Sequence, residues 1–460
     1  MPAFILVAVY ALAFLLRFEW LIHVQHPLDA VYSDAGGYVE RADWLLAHHT
    51  PADPRVLTIY PWGGHALLAL QFLVVGRNAR VGIAVAAALV GAIPAPCLAY
   101  LSLRIMPSRL IAALVGVLVA VWSPQIAFAG FFLSEIWFSA AIAAHAALTV
   151  VPWKRPWGKL ATGAVAAIAF VVRPQFVLTW VADLAAAAVT ALRRGGIPRA
   201  ARTTVGLALP MVLAVGFSAV RLHRLAGRWG LISGNDEMTR IWADTDICQL
   251  RSNWTAPNGE RWHYGFSPPS KPPHKPSDTV EFEGFIADPV LLRRIRQERL
   301  RGVPWTARLA RKAHNVALLY DNLPWPESNY KDWDWRFDLQ RGYATALLYV
   351  VSPLALVGIV LGRKNRALFI AAANLCTSVV CAAFFFGEGR YHVPYDPFAL
   401  LLAVVACHEI TRRVRAARAR GTVSSTRPPP RRTRGHTRRT TIPRSTPPSP
   451  PAPSPADRGA

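Results

Sequence analysis

Charged residues are scarce in this chain of 460 residues: 17% are Asp, Glu, Lys or Arg, whereas 53% are hydrophobic. The hydrophobic residues form long runs instead of the spaced pattern of amphipathic elements, which is unlike the composition of a water-soluble globule. The composition therefore predicts a polytopic membrane protein.

Cysteine is also rare. Of five cysteines, only Cys248 lies in a polar segment, and one exposed thiol cannot build a disulfide framework. The sequence also has no glycine-rich nucleotide loop and no grouping of His, Cys and Asp with metal-ligand spacing. We expect no organic cofactor and find no metal motif, while a requirement for a divalent metal stays open.

What the chain does have is a series of apolar runs, each near the roughly 17 to 25 residues that span a bilayer. They predict an all-α polytopic membrane protein with about ten transmembrane helices joined by extracytoplasmic loops. Residues 61–76 form a shorter run, which predicts an interfacial or re-entrant helix; counting it as a span gives eleven. The predicted spans are residues 3–24, 81–103, 109–128, 131–151, 158–173, 175–192, 204–222, 342–362, 366–386 and 393–410.

Basic residues in short connections predict the orientation, because such connections stay in the cytoplasm. Four of them are basic: "LRIMPSR" at 103–109, "KRPWGK" at 154–159, "RRGGIPRAAR" at 193–202 and "RKNR" at 363–366. If the spans alternate, the unusual polar segments all face the other side. The expected location is the plasma membrane, with these segments outside the cytoplasm.

This orientation divides the chain into four predicted regions. Residues 1–222 form an amino-terminal transmembrane module with a first extracytoplasmic loop at 25–80. Residues 223–341 form an extracytoplasmic domain, in which Trp242, Trp254 and Trp262 are expected at the membrane interface or on sugar rings. Residues 342–410 form the last transmembrane helices.

Residues 411–460 form the fourth region, a tail with thirteen arginines against one acid and many prolines. Such a tail cannot bury a core and is expected to be disordered. On a membrane protein it indicates the cytoplasmic side and contact with anionic lipid headgroups of the bilayer, so we expect no nucleic-acid partner.

The stretch "LDAVYSDAGGYVERADWLL", residues 28–46, places four carboxylates at the edge of a predicted span. Asp34 has two interpretations. It is either a helix N-cap, with Gly36 and Gly37 easing a bend, or a general base that takes a proton from an attacking hydroxyl.

A second polar cluster follows in "FFFGEGRYHVPYDPFALLLA", residues 384–403. Arg390 and His392 stand between two apolar runs, and a guanidinium matches phosphate oxygens. Arg390 either binds a phosphate or pairs with Glu388. Arg173 before Pro174 is either a snorkelling arginine or a further phosphate ligand.

Acids and arginines on one external face point to a lipid-carried substrate, because nucleotide sugars and ATP are normally absent there. A sugar linked to polyprenyl phosphate already carries its leaving group. An enzyme then needs a base for the acceptor and cations for the departing phosphate, roles for which Asp34 and Arg390 are suited.

Four segments together resemble the type-C (GT-C) superfamily of polytopic membrane glycosyltransferases, especially bacterial protein O-mannosyltransferases and lipid A aminoarabinose transferases. The segments are "YSDAGGYVERADWLL", "SPQIAFAGFFLSEIWFSAA", "FVVRPQF" and "GEGRYHVPYDPFALLLA".

The resemblance implies a catalytic aspartate at Asp34 and a polyprenyl-phosphate-linked sugar donor. It also implies transfer to a cell-envelope acceptor with inversion at the anomeric carbon. Ala35 stands where some members carry a second acid, which Glu135 or Glu40 would replace. Arg390, His392 and Arg173 are the expected ligands of the donor phosphate.

Two other functions compete with this one. A transporter or flippase for a lipid or a lipid-linked sugar also places ionisable groups at a membrane face. A noncatalytic anchor for the arginine-rich tail leaves the external acids without a role. The sugar, the acceptor and the oligomeric state are not encoded in any recognisable motif.

Overall fold

The structure, a computed structural model, describes residues 2–153, 155, 157–268, 276–321 and 335–424. The chain separates into two compact units, Met1–Thr411 and Arg412–Ala460. The second unit is described only through its helical residues up to Ser424. The predicted disorder of the tail beyond that residue lies outside the described part of the chain.

Helices dominate the described residues, as the apolar runs predict. The α-helices are α1 Pro2–His23, α2 Ser33–Leu46, α3 Trp62–Val75, α4 Arg80–Ala92, α5 Pro94–Ile105, α6 Arg109–Ala120, α7 Ser123–Ala127, α8 Ser134–Thr149, α9 Trp157–Val172, α10 Phe176–Ala226, α11 Asp236–Asp244, α12 Pro289–Leu300, α13 Trp305–Asp321, α14 Trp335–Ala346, α15 Ser352–Leu361, α16 Arg366–Phe385 and α17 Asp396–Ser424. A π-helical segment, Leu347–Val351, joins α14 to α15.

Short 3-10 helices and three strands complete the described secondary structure. The 3-10 helices are Pro27–Asp29, Pro54–Thr58, Phe128–Gly130, Pro276–Asp278, Gly389–Tyr391 and Val393–Tyr395, and the strands are β1 Gln249–Thr255, β2 Arg261–Phe266 and β3 Thr279–Glu283.

Every predicted span is helical, and the polytopic all-α architecture is confirmed. Six helical segments of the described chain are long and apolar enough to cross a membrane, and a bent pair, α6 with α7 and its 3-10 extension, would make a seventh. The predicted number of ten transmembrane helices is reached only when α8 and α9 are added and the two halves of α10 are counted as separate spans. The run at 61–76 forms α3, a short apolar helix as expected.

Helix α10 contains 51 residues, which at 1.5 Å per residue would extend about 76 Å, far more than one bilayer crossing needs. The backbone leaves the helical region at Gly195 and Gly196, and Gly196 has φ +69°. Only glycine adopts that conformation readily. The break separates two helices that match the predicted spans at 175–192 and 204–222.

The bend of 54° between α6 and α7 leaves helix-end carbonyl groups inside the protein. Arg17 of α1, which is fully buried, donates from Nη1 to the carbonyl oxygens of Ala13 and Ala120 at 3.0 and 3.2 Å. Ala120 is the last residue of α6. A charged side chain thus caps the broken helix within the bundle.

The segment between α10 and α14 contains a small sheet that the sequence analysis treated as loop. Its strand order is β2-β1-β3, with β1 antiparallel to β2 and parallel to β3. We call the described residues 227–268 and 276–321 the loop module. Helices α12 and α13 follow the sheet in the module.

The loop module has its own hydrophobic core, which also includes Val56 and Ile59 from the first loop. Trp242 and Trp254 are only 7% and 5% exposed and belong to this core. The indole of Trp254 donates to Asp53 at 2.9 Å. Trp254 therefore links the module to the first loop, and both tryptophans pack within the core of the module.

The predicted boundary at residue 411 does not coincide with a helix end, because α17 continues to Ser424. The tail is therefore helical over its first residues. The other predicted boundaries stay predictions. All five cysteines are free thiols, and Cys248 is buried rather than exposed.

Candidate functional site

Asp34 lies in the first turn of α2, which begins at Ser33. The N-cap position belongs to Tyr32, whose side chain makes no capping hydrogen bond, so the N-cap interpretation of Asp34 is wrong. Instead, Tyr60 donates its hydroxyl to Asp34 Oδ1 at 2.8 Å, and Arg390 Nη2 lies 2.6 Å from Oδ2. Both carboxylate oxygens are engaged by side chains distant in sequence.

Arg390 lies in the 3-10 helix Gly389–Tyr391, between α16 and α17. Besides Asp34 it contacts a second carboxylate, with its Nε 3.4 Å from Glu388 Oε2. The predicted pairing with Glu388 is therefore present, and Arg390 also contacts the candidate base. Phosphate binding by Arg390 stays a prediction. The stronger geometry is the contact with Asp34.

Both chain segments that deliver these residues have unusual backbone conformations. Ser33 has φ +49° and Phe386 has φ +108°, and each is a non-glycine residue in a region that side chains disfavour. Such conformations persist where the surrounding structure imposes them, often at functional sites. Here they precede Asp34 and the Glu388–Arg390 turn.

A second ion pair lies beside the first. Arg173, between α9 and α10, has its Nη2 2.5 Å from Glu135 Oε1 and donates from Nε to Ser134 Oγ at 3.0 Å. The Tyr391 ring links the pairs, since the guanidinium carbons of Arg173 and Arg390 lie 5.2 and 5.3 Å from its centroid. The predicted residues Asp34, Glu135, Arg173 and Arg390 thus form one cluster.

The pKa values of the two carboxyl groups beside Arg390 are shifted in opposite directions. Burial alone would raise the pKa of Asp34, but the charge of Arg390 and the hydrogen bond from Tyr60 outweigh it and lower the pKa. For Glu388, burial prevails over the attraction of Arg390, and the pKa is raised. Asp34 is the group held ready as an anion, while Glu388 more easily carries a proton.

Tyr60 is a permanent hydrogen-bond donor to Asp34. Its burial and the Asp34 charge raise its pKa well above the ordinary value, so its hydroxyl keeps its proton. The ring is held on one side by Tyr38, at 5.1 Å between centroids, and by the Arg41 guanidinium, 4.9 Å from the centroid. Arg41 in turn donates to the Val56 carbonyl oxygen.

The remaining predicted residues lie differently. His392 is two residues beyond Arg390, but its Nδ1 is 2.6 Å from Asp396, a residue that the sequence analysis did not select. Glu40 is 48% exposed and its ion pair is with Arg41, at 3.9 Å. This ion pair does not include Asp34 or Arg390, and the role of Glu40 as a supporting acid stays a prediction.

The sequence analysis did not identify Tyr60, Glu388 or Tyr391 as members of the site. Glu388 and Tyr391 flank Arg390 in "GEGRYH", and their proximity to it was the signal available. Tyr60 in "TIYPW" lies in a loop without a recognisable pattern. Its pairing with Asp34 spans 26 residues and depends on the packing of the first loop.

An apolar cleft adjoins the charged cluster. Leu133 and Ile136 on either side of the Ser134-Glu135 pair line it, together with Tyr38, Gly64, Leu68 and Trp137. The cleft has room for about one water molecule. Within the described residues, no group of three or more His, Cys, Asp or Glu side chains could hold a metal ion.

No protein-family model and no curated protein matches the sequence. Among solved structures, the chain is similar to the apo oligosaccharyltransferase of Archaeoglobus fulgidus, with 11% identity, a TM-score of 0.48, and coverage of 92% of this chain and 52% of that one. It is also similar to ArnT of Cupriavidus metallidurans bound to undecaprenyl phosphate, with 15% identity, a TM-score of 0.37, and coverage of 92% and 81%.

A further similar structure is oligosaccharyltransferase AglB of Archaeoglobus fulgidus with an inhibitory peptide and a dolichol-phosphate, with 12% identity, a TM-score of 0.47, and coverage of 92% and 52%. The chain therefore spans about half the length of the oligosaccharyltransferases. These structures are type-C glycosyltransferases, the kind that the sequence resembles. Because each TM-score is below 0.5, the functional conclusion rests on the geometry of the site.

Proposed function

We propose that the protein is a membrane glycosyltransferase that moves a sugar from a polyprenyl-phosphate-linked donor to a cell-envelope acceptor. The observation that carries the proposal is the direct contact between Asp34 and Arg390, 2.6 Å apart in a partly buried cluster. A base for the acceptor and a cation for the leaving phosphate are the two groups that this transfer requires.

Arg390 and Arg173 are the groups that would hold the donor phosphate. Both guanidinium groups lie near the ring of Tyr391. Planar guanidinium groups bind phosphate oxygens through paired hydrogen bonds. Negative charge that develops on the phosphate as the sugar leaves is stabilised by these fixed cations.

Asp34 is the proposed base. Its lowered pKa keeps it ionised at neutral pH, so it can accept the proton of an acceptor hydroxyl. The acceptor oxygen forms a bond to the anomeric carbon while the bond from that carbon to the phosphate oxygen breaks. The proton ends on Asp34, polyprenyl phosphate departs as the anion, and one displacement inverts the anomeric configuration.

The surroundings of the cluster favour a donor carried by a lipid. An apolar cleft lies beside the ion pairs, and the helices that deliver Arg390, α16 and α17, are both candidate membrane spans. A polyprenyl chain can remain in an apolar environment while its phosphate meets the arginines. In keeping with the predicted orientation, we place the reaction on the extracytoplasmic side of the plasma membrane.

The test is a transfer assay with the purified full-length protein in lipid nanodiscs. Donors with a labelled mannosyl, glucosyl or arabinosyl group on polyprenyl phosphate are supplied with extracted envelope lipids and glycans, and transfer of the label to the acceptors is measured. We expect transfer from at least one of these donors and none from the corresponding nucleotide sugars. Transfer from a nucleotide sugar but from no lipid-linked donor would contradict the proposal.

The same preparation separates the proposal from the competing transport function. A transporter would move a labelled lipid-linked sugar across a liposome membrane without covalent change. We expect that the protein gives transferred product in the presence of acceptor, and that label is not translocated in its absence. Translocation without product would favour a flippase.

A further inference from the structure

His392 belongs to a buried hydrogen-bonded chain that the ion-pair cluster does not explain. Its Nδ1 lies 2.6 Å from Asp396 Oδ1, and Trp122 Nε1 donates to Asp396 Oδ2 at 2.8 Å. His392 and Asp396 are each 2% exposed. The three side chains come from the turn before α17, the start of α17 and the bend between α6 and α7.

The far nitrogen of the imidazole is unsatisfied. His392 Nε2 is buried and has no hydrogen-bond partner in the described residues. Leaving such a group unpaired in a buried environment is destabilising. The other side of the ring is not free to turn, because Asp396 fixes Nδ1 and the Tyr320 ring stacks on the imidazole, 6.2 Å between centroids.

The contact with Asp396 determines the direction in which Nε2 can form a hydrogen bond. A carboxylate that accepts the hydrogen of Nδ1 fixes the orientation of the ring, and Nε2 donates a hydrogen bond when it too carries a hydrogen. Trp122 holds the other oxygen of Asp396, so the carboxylate cannot rotate away. A fixed Nε2 donor would suit an anionic oxygen.

The position of the imidazole ring indicates which anionic group Nε2 would contact. His392 follows Arg390 by two residues, and its amide donates to the Gly389 carbonyl oxygen at 3.3 Å, so both side chains leave one compact turn. We infer that Trp122 and Asp396 are positioning residues that hold His392 Nε2 for a hydrogen bond to the phosphate of the lipid donor. This inference rests on the proposed function.

The inference is tested by binding of a polyprenyl monophosphate, without any sugar, to the full-length protein in nanodiscs. Two replacements of His392 separate its two nitrogens. Asn keeps a donor near Nδ1 and has nothing at the position of Nε2, whereas the longer Gln side chain places an amide near Nε2. We expect His392→Asn to weaken binding about tenfold, the size of one hydrogen bond to a charged group, and His392→Gln to retain most of the affinity.

A double-mutant cycle then tests the positioning role of Asp396. Asp396→Asn is expected to weaken binding in the parent protein but to have no further effect in the His392→Asn protein, because the two residues act through one contact. Trp122→Phe provides a milder variant that keeps the ring packed against Tyr343, 4.9 Å away. It should weaken binding in the same direction.

His145→Gln is the matched control. His145 is also a buried histidine near an aspartate, Asp183, at 3.7 Å, but it lies 10 residues after Glu135 on α8, about 15 Å along the helix. Its replacement should leave polyprenyl phosphate binding unchanged. If the parent binds the lipid but the effects of Asp396→Asn and His392→Asn multiply, the positioning role is wrong. If the parent does not bind it, the proposed function itself fails.

Discussion

The carboxylate of Asp34 is bound to the guanidinium of Arg390 at 2.6 Å, and Tyr60 occupies its second oxygen. The candidate base and the candidate phosphate ligand therefore neutralise one another in the structure. A donor phosphate that binds Arg390 must compete with Asp34. Its arrival would release the carboxylate for the acceptor hydroxyl, while Glu388 keeps its contact with Arg390 Nε.

This competition predicts an unusual binding result. Replacing Asp34 with Asn removes the charge that competes for Arg390, so polyprenyl phosphate should bind several-fold more tightly to Asp34→Asn than to the parent. The measurement is equilibrium binding of the lipid to the protein in nanodiscs. Asp43→Asn is the control: Asp43 lies on the same helix but pairs with Arg77 at 2.9 Å, and its replacement should not change the affinity.

Equal or weaker binding to Asp34→Asn would show that the carboxylate and the phosphate do not share Arg390.

Tyr60→Phe is predicted to change the pH dependence of transfer. Burial by itself raises the pKa of Asp34, whereas Arg390 and the Tyr60 hydroxyl lower it to a value below the ordinary one. Without the hydroxyl the pKa rises, so the base becomes protonated at a higher pH. The acidic limb of the kcat/KM profile should therefore move to higher pH.

Arg390 and Arg173 are the charged groups that also act on the Asp34 pKa, and both remain in this variant. A matched Tyr100→Phe variant, changed in α5, should keep the parent profile. A Tyr60→Phe profile that coincides with the parent profile would remove Tyr60 from the site.

Gly387→Ala is predicted to disturb the turn that carries Arg390. A Cβ at this position would overlap the carbonyl group of Asn315 in α13. Asn315 cannot easily yield, because it is 2% exposed and donates to the Ala243 carbonyl oxygen at 2.8 Å. We expect at least a tenfold loss of kcat/KM for the donor.

Gly342→Ala is the control, since a Cβ there meets nothing within 4 Å; parent-like activity of Gly387→Ala would show that the close approach is not needed.

Asp53→Asn is predicted to weaken the attachment of the loop module. Asp53 is 1% exposed, receives hydrogen bonds from Arg55 and from Trp254, and thereby links the first loop to β1. Loss of the charged acceptor should cost about 2 kcal/mol of stability. The measurement is the thermal unfolding midpoint in detergent, compared with Asp29→Asn, whose pair with Arg80 is more than half exposed and should contribute less than about 1 kcal/mol.

The pH dependence of this effect has a definite sign. Burial raises the pKa of Asp53, but hydrogen bonds from Arg55 and Trp254 prevail and lower it. The stabilisation is therefore present above the ordinary carboxyl pKa and is lost as the pH falls through the lowered value. The parent and Asp53→Asn midpoints should converge in acid, and a difference that grows in acid would contradict the assignment.

The helices were predictable from the sequence because a bilayer leaves few choices: each crossing segment must be apolar and must satisfy its own backbone hydrogen bonds. The breaks were less visible. Gly195-Gly196 lies inside a segment that was interpreted as a basic connection. The residues before Trp122 carry no sequence signal for the bend between α6 and α7. The alternation of aromatic with other residues in "RWHYGF" at 261–266 is a period-2 signal for strand β2 that the sequence analysis did not use.

The site was partly predictable for a different reason. Charged residues beside apolar runs are conspicuous, so Asp34, Arg173 and Arg390 could be selected one by one. Their mutual distances could not be predicted, because Asp34 and Arg390 are separated by 356 positions and meet only through packing of the bundle. His392 was selected from the sequence, but its partner Asp396 was not.

The most direct test of the account is sugar transfer by the purified Asp34→Asn protein, measured as product formed from a polyprenyl-phosphate-linked donor under single-turnover conditions. We predict that transfer falls at least a hundredfold, because general-base catalysis typically contributes a factor of 10² to 10⁴, while the protein still binds polyprenyl phosphate. Asp43→Asn should transfer at the parent rate. An Asp34→Asn protein that is folded, binds the lipid and transfers sugar as fast as the parent would contradict the central claim.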